Sequence, residues 1–116
     1  MSGLIYHITA RADWLAGQTA GAYRADSLES QGFIHCSKAS QVLRVANAIY
    51  TGRHTLVILA IDPTHVKAKV QWEPGTDKAD ELFPHIYGEL NLDAVKDVID
   101  FEPGDDGKFT LPGGVQ

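Results

Sequence analysis

"TLVILAID", residues 55–62, is a continuous apolar run closed by Asp62-Pro63. Strand side chains alternate between two faces, so a run without polar interruption must be covered on both, and this one predicts the central strand of the sheet. The segments on either side read as elements that pack on it. "LIYHI" (residues 4–8) is β-branched and aromatic, with Leu4, Tyr6 and Ile8 on one face and Ile5 and His7 on the other. Thr9 is the expected N-cap of a helix through Trp14 and Leu15 that stops at Gly21. "AYRADSLESQG" (22–32) reads as connecting structure and "FIHC" (33–36) as a second strand. Ser37 or Ser40 then caps a second helix, in which Val42, Val45, Ala46 and Ile49 recur at i, i+3, i+4 and i+7. Beyond the central run, "VQWE" (70–73) is a short strand and "PGTDKADE" (74–81) a polar loop. "FPHIYG" (83–88) is a strand that Pro84 assigns to an edge or places at a strand start, with His85 and Tyr87 on one face. "VIDFEPGDDGKFTL" (98–111) predicts a hairpin turning at Asp106-Gly107, and residues 113–116 are expected to fray. The expectation is one domain over residues 1–112.

A chain of 116 residues, 44% of them hydrophobic, is long enough for one real core and too short for two. Its formal charge is −5, and Lys and Arg are scattered singly. That leaves no basic stripe to displace counterions from a phosphate backbone, so nucleic acid is not a favoured partner. The single cysteine cannot form an internal disulfide. No apolar run reaches membrane-spanning length, and the N-terminus lacks the charged and long apolar regions of a signal peptide. A reduced, cytoplasmic protein without membrane contact is the expectation.

"GFIHCS" (32–37) sets the only thiol beside an imidazole. On an extended strand His35 and Cys36 point to opposite faces and cannot address one site together, so Cys36 reads as a packing residue. A helix starting at Ser37 is the one feature that would activate it as a nucleophile. The five histidines show no H-x-x-x-H, C-x-x-C or clustered carboxylate spacing, and no metal site is expected. His54 and His65 flank turns and read as solvated. His7, His35 and His85 each fall in a predicted strand among apolar neighbours. Singly, such a histidine is ordinarily a hydrogen-bonded structural residue. If the three strands are neighbours, the rings can line one cleft with Tyr87, giving the apolar walls and converging polar groups of a small-molecule pocket. Arg24, Asp26 and Ser27 lie in the connecting segment, where a loop can overhang a pocket or simply form turns. Trp14 and Trp72 read as packing, or Trp72 with Glu73 as the frame of a ligand. "GTDKADE" and "PGDDG" match no calcium-loop spacing and read as solvated loops.

"YHIT", "YRADSLESQGFIHCS", "LVILAID", "WEPG" and "LFPHIYGELNLDAV" together resemble the bacterial domain-of-unknown-function family numbered 952, over nearly the whole chain. That resemblance implies the ADP-ribosyltransferase-like fold: α+β, with a split, strongly curved β core and two flanking helices that hold NAD in a cleft. It implies that His7 of "YHIT" stands where a family histidine bonds an adenosine ribose hydroxyl. His35 of "GFIHCS" stands where a ring orients the nicotinamide side. In the later strand His85 takes the third position, with Tyr87 next and Glu89 after it. The implied set is thus His35, His85 and Tyr87 for catalysis and His7, Thr9, Arg24, Ser27 and Ser37 for binding NAD, with no metal. Ile8 departs from the pattern, standing where a small residue lets backbone amides clasp the nicotinamide amide.

The implied function is NAD-utilising ADP-ribosyl transfer, or cleavage of the NAD or ADP-ribosyl bond, on an unknown acceptor, with a small-molecule nucleotide as partner. Nicotinamide leaves as a neutral molecule while positive charge grows on the ribose, so the protein has to hold the sugar and place the acceptor. A non-catalytic module that binds a nucleotide or ADP-ribose is the alternative. An enzyme dependent on the Cys36 thiol is a third.

Overall fold

The computed structural model describes residues 3–75 and 80–115, so residues 76–79 of the expected polar loop lie outside the described residues. In chain order these residues form β1 (Ile5–Ala10), α1 (Arg11–Ala20), β2 (Ala22–Tyr23), α2 (Asp26–Gln31), β3 (Ile34–His35), α3 (Ala39–Ile49), β4 (Leu56–Ile61), β5 (Lys69–Pro74), β6 (Leu82–Tyr87), β7 (Leu90–Asn91) and β8 (Val95–Phe101).

β4 lies between β1 and β8 and runs antiparallel to both. Every one of its residues is at most 1% exposed. Val57, Leu59 and Ile61 enter one core cluster with Ile5, Trp14 and Tyr23, while Leu56, Ile58 and Ala60 enter a second with Tyr6, Val42 and Phe101. The unbroken apolar run therefore does what its pattern requires, feeding a core on each face. A second antiparallel sheet has the order β3-β6-β5, and β2 pairs with β7 in a short ribbon. The result is a mixed α+β single domain of three helices and antiparallel sheets. No described helix is long and apolar enough to cross a membrane.

Several local expectations are corrected. Thr9 stays in β1 and does not cap α1; Ala10 occupies the cap position without a side-chain bond. The helix does end at Gly21, whose φ of 92° is the left-handed conformation glycine adopts cheaply. The connecting segment holds both β2 and α2, so the described residues form three α-helices where two helices were expected. Neither Ser37 nor Ser40 caps α3. Lys38 is the cap residue, and its N–H donates to Gln41 Oε1 at 2.9 Å. Ser37 is held extended by its exchange with Tyr6, which delays the helix by a residue. On α3, Val42 and Ala46 are buried, but Ile49 is 56% exposed.

β6 is the middle strand of its sheet, not an edge. Pro84 is tolerated because β3 ends opposite it: Cys36 N–H donates to the Pro84 carbonyl at 3.1 Å, and proline has no N–H to return. The turn near Gly107 forms, with Gly104 N–H donating to the Lys108 carbonyl at 2.8 Å, yet no described strand returns along β8. Asn47 of α3 takes its place, since its amide donates to the Phe109 carbonyl and accepts the Phe109 N–H. Phe109 stacks on Phe101 at 4.5 Å. Val115, in the segment expected to fray, is 4% exposed in the second core cluster.

Candidate functional site

The site begins where two sheets part. Tyr6 and Ser37 exchange backbone hydrogen bonds of 2.8 and 2.7 Å, which ties β1 to the chain just after β3. An antiparallel ladder continued from that rung would pair Ile8 with His35, Ile8 N–H donating to the His35 carbonyl. The His7 side chain takes that carbonyl instead, with Nδ1 at 2.5 Å. The imidazole thus acts as a wedge that replaces the next rung. Strand alternation leaves the N–H and C=O of Ile8 on this opened side, away from β4. A cavity of about 660 Å³ lies there, and Ile8, His7, His35 and His85 all line it.

His7 is locked by what surrounds it. A carbonyl only accepts, so Nδ1 carries the proton toward His35. Burial pulls the imidazole pKa down to about 4 against the help of that bond, so the ring is neutral near pH 7 and its Nε2 is an acceptor. Tyr23 Oη, 2.7 Å from Nε2, must then donate to it, which leaves Thr9 Oγ1, 2.9 Å from Tyr23 Oη, to donate to the phenol. The hydroxyl pair alone would fit either direction; the neutral imidazole decides it. Both ring nitrogens of His7 are engaged within the protein, and the chain reaches the cavity wall at Thr9. Tyr23 is set in place by Gly17 of α1, where a Cβ would lie 3.0 Å from the Tyr23 Cα.

The opposite wall comes from the second sheet. His85 Nδ1 is 2.7 Å from Glu73 Oε1, and Tyr87 Oη donates to the same oxygen at 2.6 Å. Those two donors, Tyr87 first, hold the Glu73 carboxyl below its ordinary range, and the same bond raises the Tyr87 phenol. Phe33 stacks on His85 with ring centroids 4.1 Å apart, and His35 meets His85 edge-on at 5.3 Å. Gln31 Oε1 lies 2.8 Å from His35 Nε2.

Thr9, Ser27 and Ser37 also line the cavity. Ser27 Oγ donates to the Phe33 carbonyl at 2.8 Å and so fixes the approach to β3. Arg24 and Tyr87, both expected at the site, are not on the cavity wall. Arg24 makes an exposed ion pair with Glu89 at 3.3 Å, and Tyr87 reaches the site through Glu73 and the Phe33 ring, 5.3 Å away. Cys36 packs in the core, where burial pushes its thiol pKa well up. Among the described residues no group of three or more His, Cys, Asp and Glu side chains is placed to hold a metal ion.

Residues 8–98 match the family described as "Protein of unknown function (DUF952)". The chain belongs to the DUF952 family. Its fold is similar to the X-ray crystal structure of protein CC0527 from Caulobacter crescentus, at 30% identity and a TM-score of 0.83, covering 93% of this chain and 94% of that one. The solution NMR structure of CC0527 gives 30% identity and a TM-score of 0.81, covering 94% and 93%. No curated protein matches the chain.

This DUF952 site includes side chains the sequence did not single out as site residues. Tyr23 sat in a segment read as connecting structure, and Phe33 looked like the first apolar residue of a strand. Glu73 adjoins Trp72 in the sequence, but the two point to opposite faces of β5, and Trp72 is 43% exposed away from the cavity. Only the register Glu73 to Phe83 puts Glu73 diagonal to His85, and alternation along β5 alone does not disclose that pairing.

Proposed function

We propose that the cavity binds the nicotinamide–ribose part of NAD and that the protein cleaves or transfers at that ribosyl bond, in keeping with an ADP-ribosyltransferase-like arrangement. The observation that carries this reading is the meeting of His7, His35 and His85, far apart in the chain, at one cavity. Its volume falls within the roughly 300–1,000 Å³ of small-ligand pockets. The free edge of β1 at Ile8 offers one donor and one acceptor side by side, the complement of a primary carboxamide. Ile8 does not block that edge, since its side chain packs with Tyr6 and Val42 on the other core cluster. The rings of His35 and His85, both on the cavity wall and edge-on to each other, give a flat heterocycle surfaces to lie against. At the rim, Arg53 lies over the Tyr50 ring at 5.1 Å and is a cation available to a pyrophosphate.

Calorimetry with NAD and ADP-ribose, beside chromatography of released nicotinamide, tests the proposal. The expected result is binding of both ligands, release of nicotinamide, and loss of release in a folded His35→Ala variant. Absence of heat with either ligand at millimolar concentration would remove this ligand class. Binding of NAD without release would instead mark a nucleotide-binding module.

A further inference from the structure

Glu73, His85 and Tyr87 share one face of the β5–β6 pair, with the glutamate between two donors. An ionised carboxylate only accepts, so Nδ1 of His85 carries a proton toward Glu73, and in the neutral ring the lone pair is at Nε2. Nε2 makes no hydrogen bond to the described residues. The one fully buried side-chain polar atom without a partner among them is Tyr6 Oη, so Nε2 is not sealed off; His85, whose side chain is 3% exposed, lines the cavity and Nε2 is its one unengaged polar atom. The ring cannot turn freely: Phe33 covers one face and His35 abuts it edge-on.

We infer that His85 Nε2 accepts the proton of an O–H nucleophile in this cavity, and that Glu73 and Tyr87 are positioning residues that hold the imidazole in that tautomer. This rests on the ribosyl-bond reading above. The step balances without another reactant. The ribose C1–nitrogen bond breaks with its electron pair going to nicotinamide, the nucleophile's oxygen bonds to C1, and its proton passes to Nε2. The imidazolium so formed faces the Glu73 carboxylate, which stabilises it, and then returns the proton to solvent. Water and an alcohol are equivalent nucleophiles here; added methanol separates them, because capture of the alcohol gives a methyl riboside where water gives ADP-ribose.

Two measurements test the inference. Nitrogen-15 NMR of histidine-labelled protein at pH 8, assigned with His85→Gln, should show His85 protonated at Nδ1. Protonation at Nε2 would overturn the proposal whether or not NAD is turned over. In turnover, His85→Gln should lower kcat for nicotinamide release about 100-fold. Glu73→Gln keeps an acceptor oxygen but removes the charge; it should lower kcat about tenfold or more, with KM for NAD little changed and the acid limb of the pH profile moved to lower pH. Tyr87→Phe, at an exposed position, should move that limb in the opposite direction by a smaller amount. Wild-type kcat and pH profile in Glu73→Gln would overturn the positioning role. Failure of the ribosyl reading looks different: no nicotinamide is released by any form, while the NMR tautomer still decides the His85–Glu73 arrangement.

Discussion

His7 Nδ1 lies 2.5 Å from the carbonyl oxygen of His35, on the bond that a backbone N–H would make if β1 and β3 stayed zipped together. One buried side chain thereby determines where the sheets separate and where the cavity begins. Its depressed pKa has a consequence for stability. The unfolded chain takes a proton at His7 near pH 6.5, the folded chain not until about pH 4, so the unfolded state binds more protons between those values. Stability from this residue is complete above pH 6.5 and is lost as pH falls toward 4. The slope approaches about 1.4 kcal/mol per pH unit, on the order of 3 kcal/mol across the window. Urea midpoints at pH 7.5 and 4.5 should differ by more in the wild type than in His7→Gln. Equal differences would show that His7 is not the buried neutral group described.

Gly17→Ala sets two effects against each other. Alanine gains about 1 kcal/mol of helix propensity over glycine in α1. Its Cβ, however, would lie 3.0 Å from the Tyr23 Cα and 3.1 Å from its Cβ, and the nearer contact is backbone, which has little room to give. Overpacking of this kind costs about 1–3 kcal/mol, so the net change should be destabilising. Tyr23 should also shift from His7, weakening ligand binding. A variant more stable than wild type with unaltered affinity would refute the tight α1–β2 contact.

The parts of the fold that sequence alone discloses are those in which one face or both must be covered by apolar residues. "TLVILAID" could only be a doubly covered strand, and β4 is one. The alternation in "LIYHI" separated Tyr6 from His7 onto different faces, and they enter different environments. The other elements carry no such signature. α2 buries none of its residues, so no apolar stripe announces it, and two-residue β2 is too short to show a period. Pro84 misled because its missing N–H matters only if a neighbouring strand continues past it, and β3 does not. The histidines could be seen in the sequence because three of them fell among apolar residues. Glu73 and Tyr23 could not, because their importance comes from strand register and from the approach of α1 to β2, both of which are long-range facts.

Cys36 should behave as core and not as chemistry. It is 4% exposed, and burial disfavours its thiolate. A disulfide exchange reagent should label it only as fast as the protein unfolds, and Cys36→Ala should keep nicotinamide release while losing about 1 kcal/mol or somewhat more of stability from the vacated volume. Rapid labelling of the native protein, or loss of turnover in a folded Cys36→Ala, would restore the thiol as a reactive group.

Arg24 separates the family-based assignment from the geometry. Its guanidinium reaches Glu89 at 3.3 Å, both side chains are 57% exposed, and neither residue lines the cavity. Exposed pairs of this kind contribute about 0–1 kcal/mol, so Arg24→Ala should leave the urea midpoint nearly unchanged. It should also leave the affinity for NAD within about twofold, whereas Arg53→Ala, at the rim, should weaken it about fivefold or more, by removing a charge-assisted contact to phosphate. Titration of both variants by calorimetry gives the comparison directly. The reverse order of effects would mean that the ligand leaves this cavity past Arg24, and that the wall defined by Thr9, His35 and His85 holds only part of it.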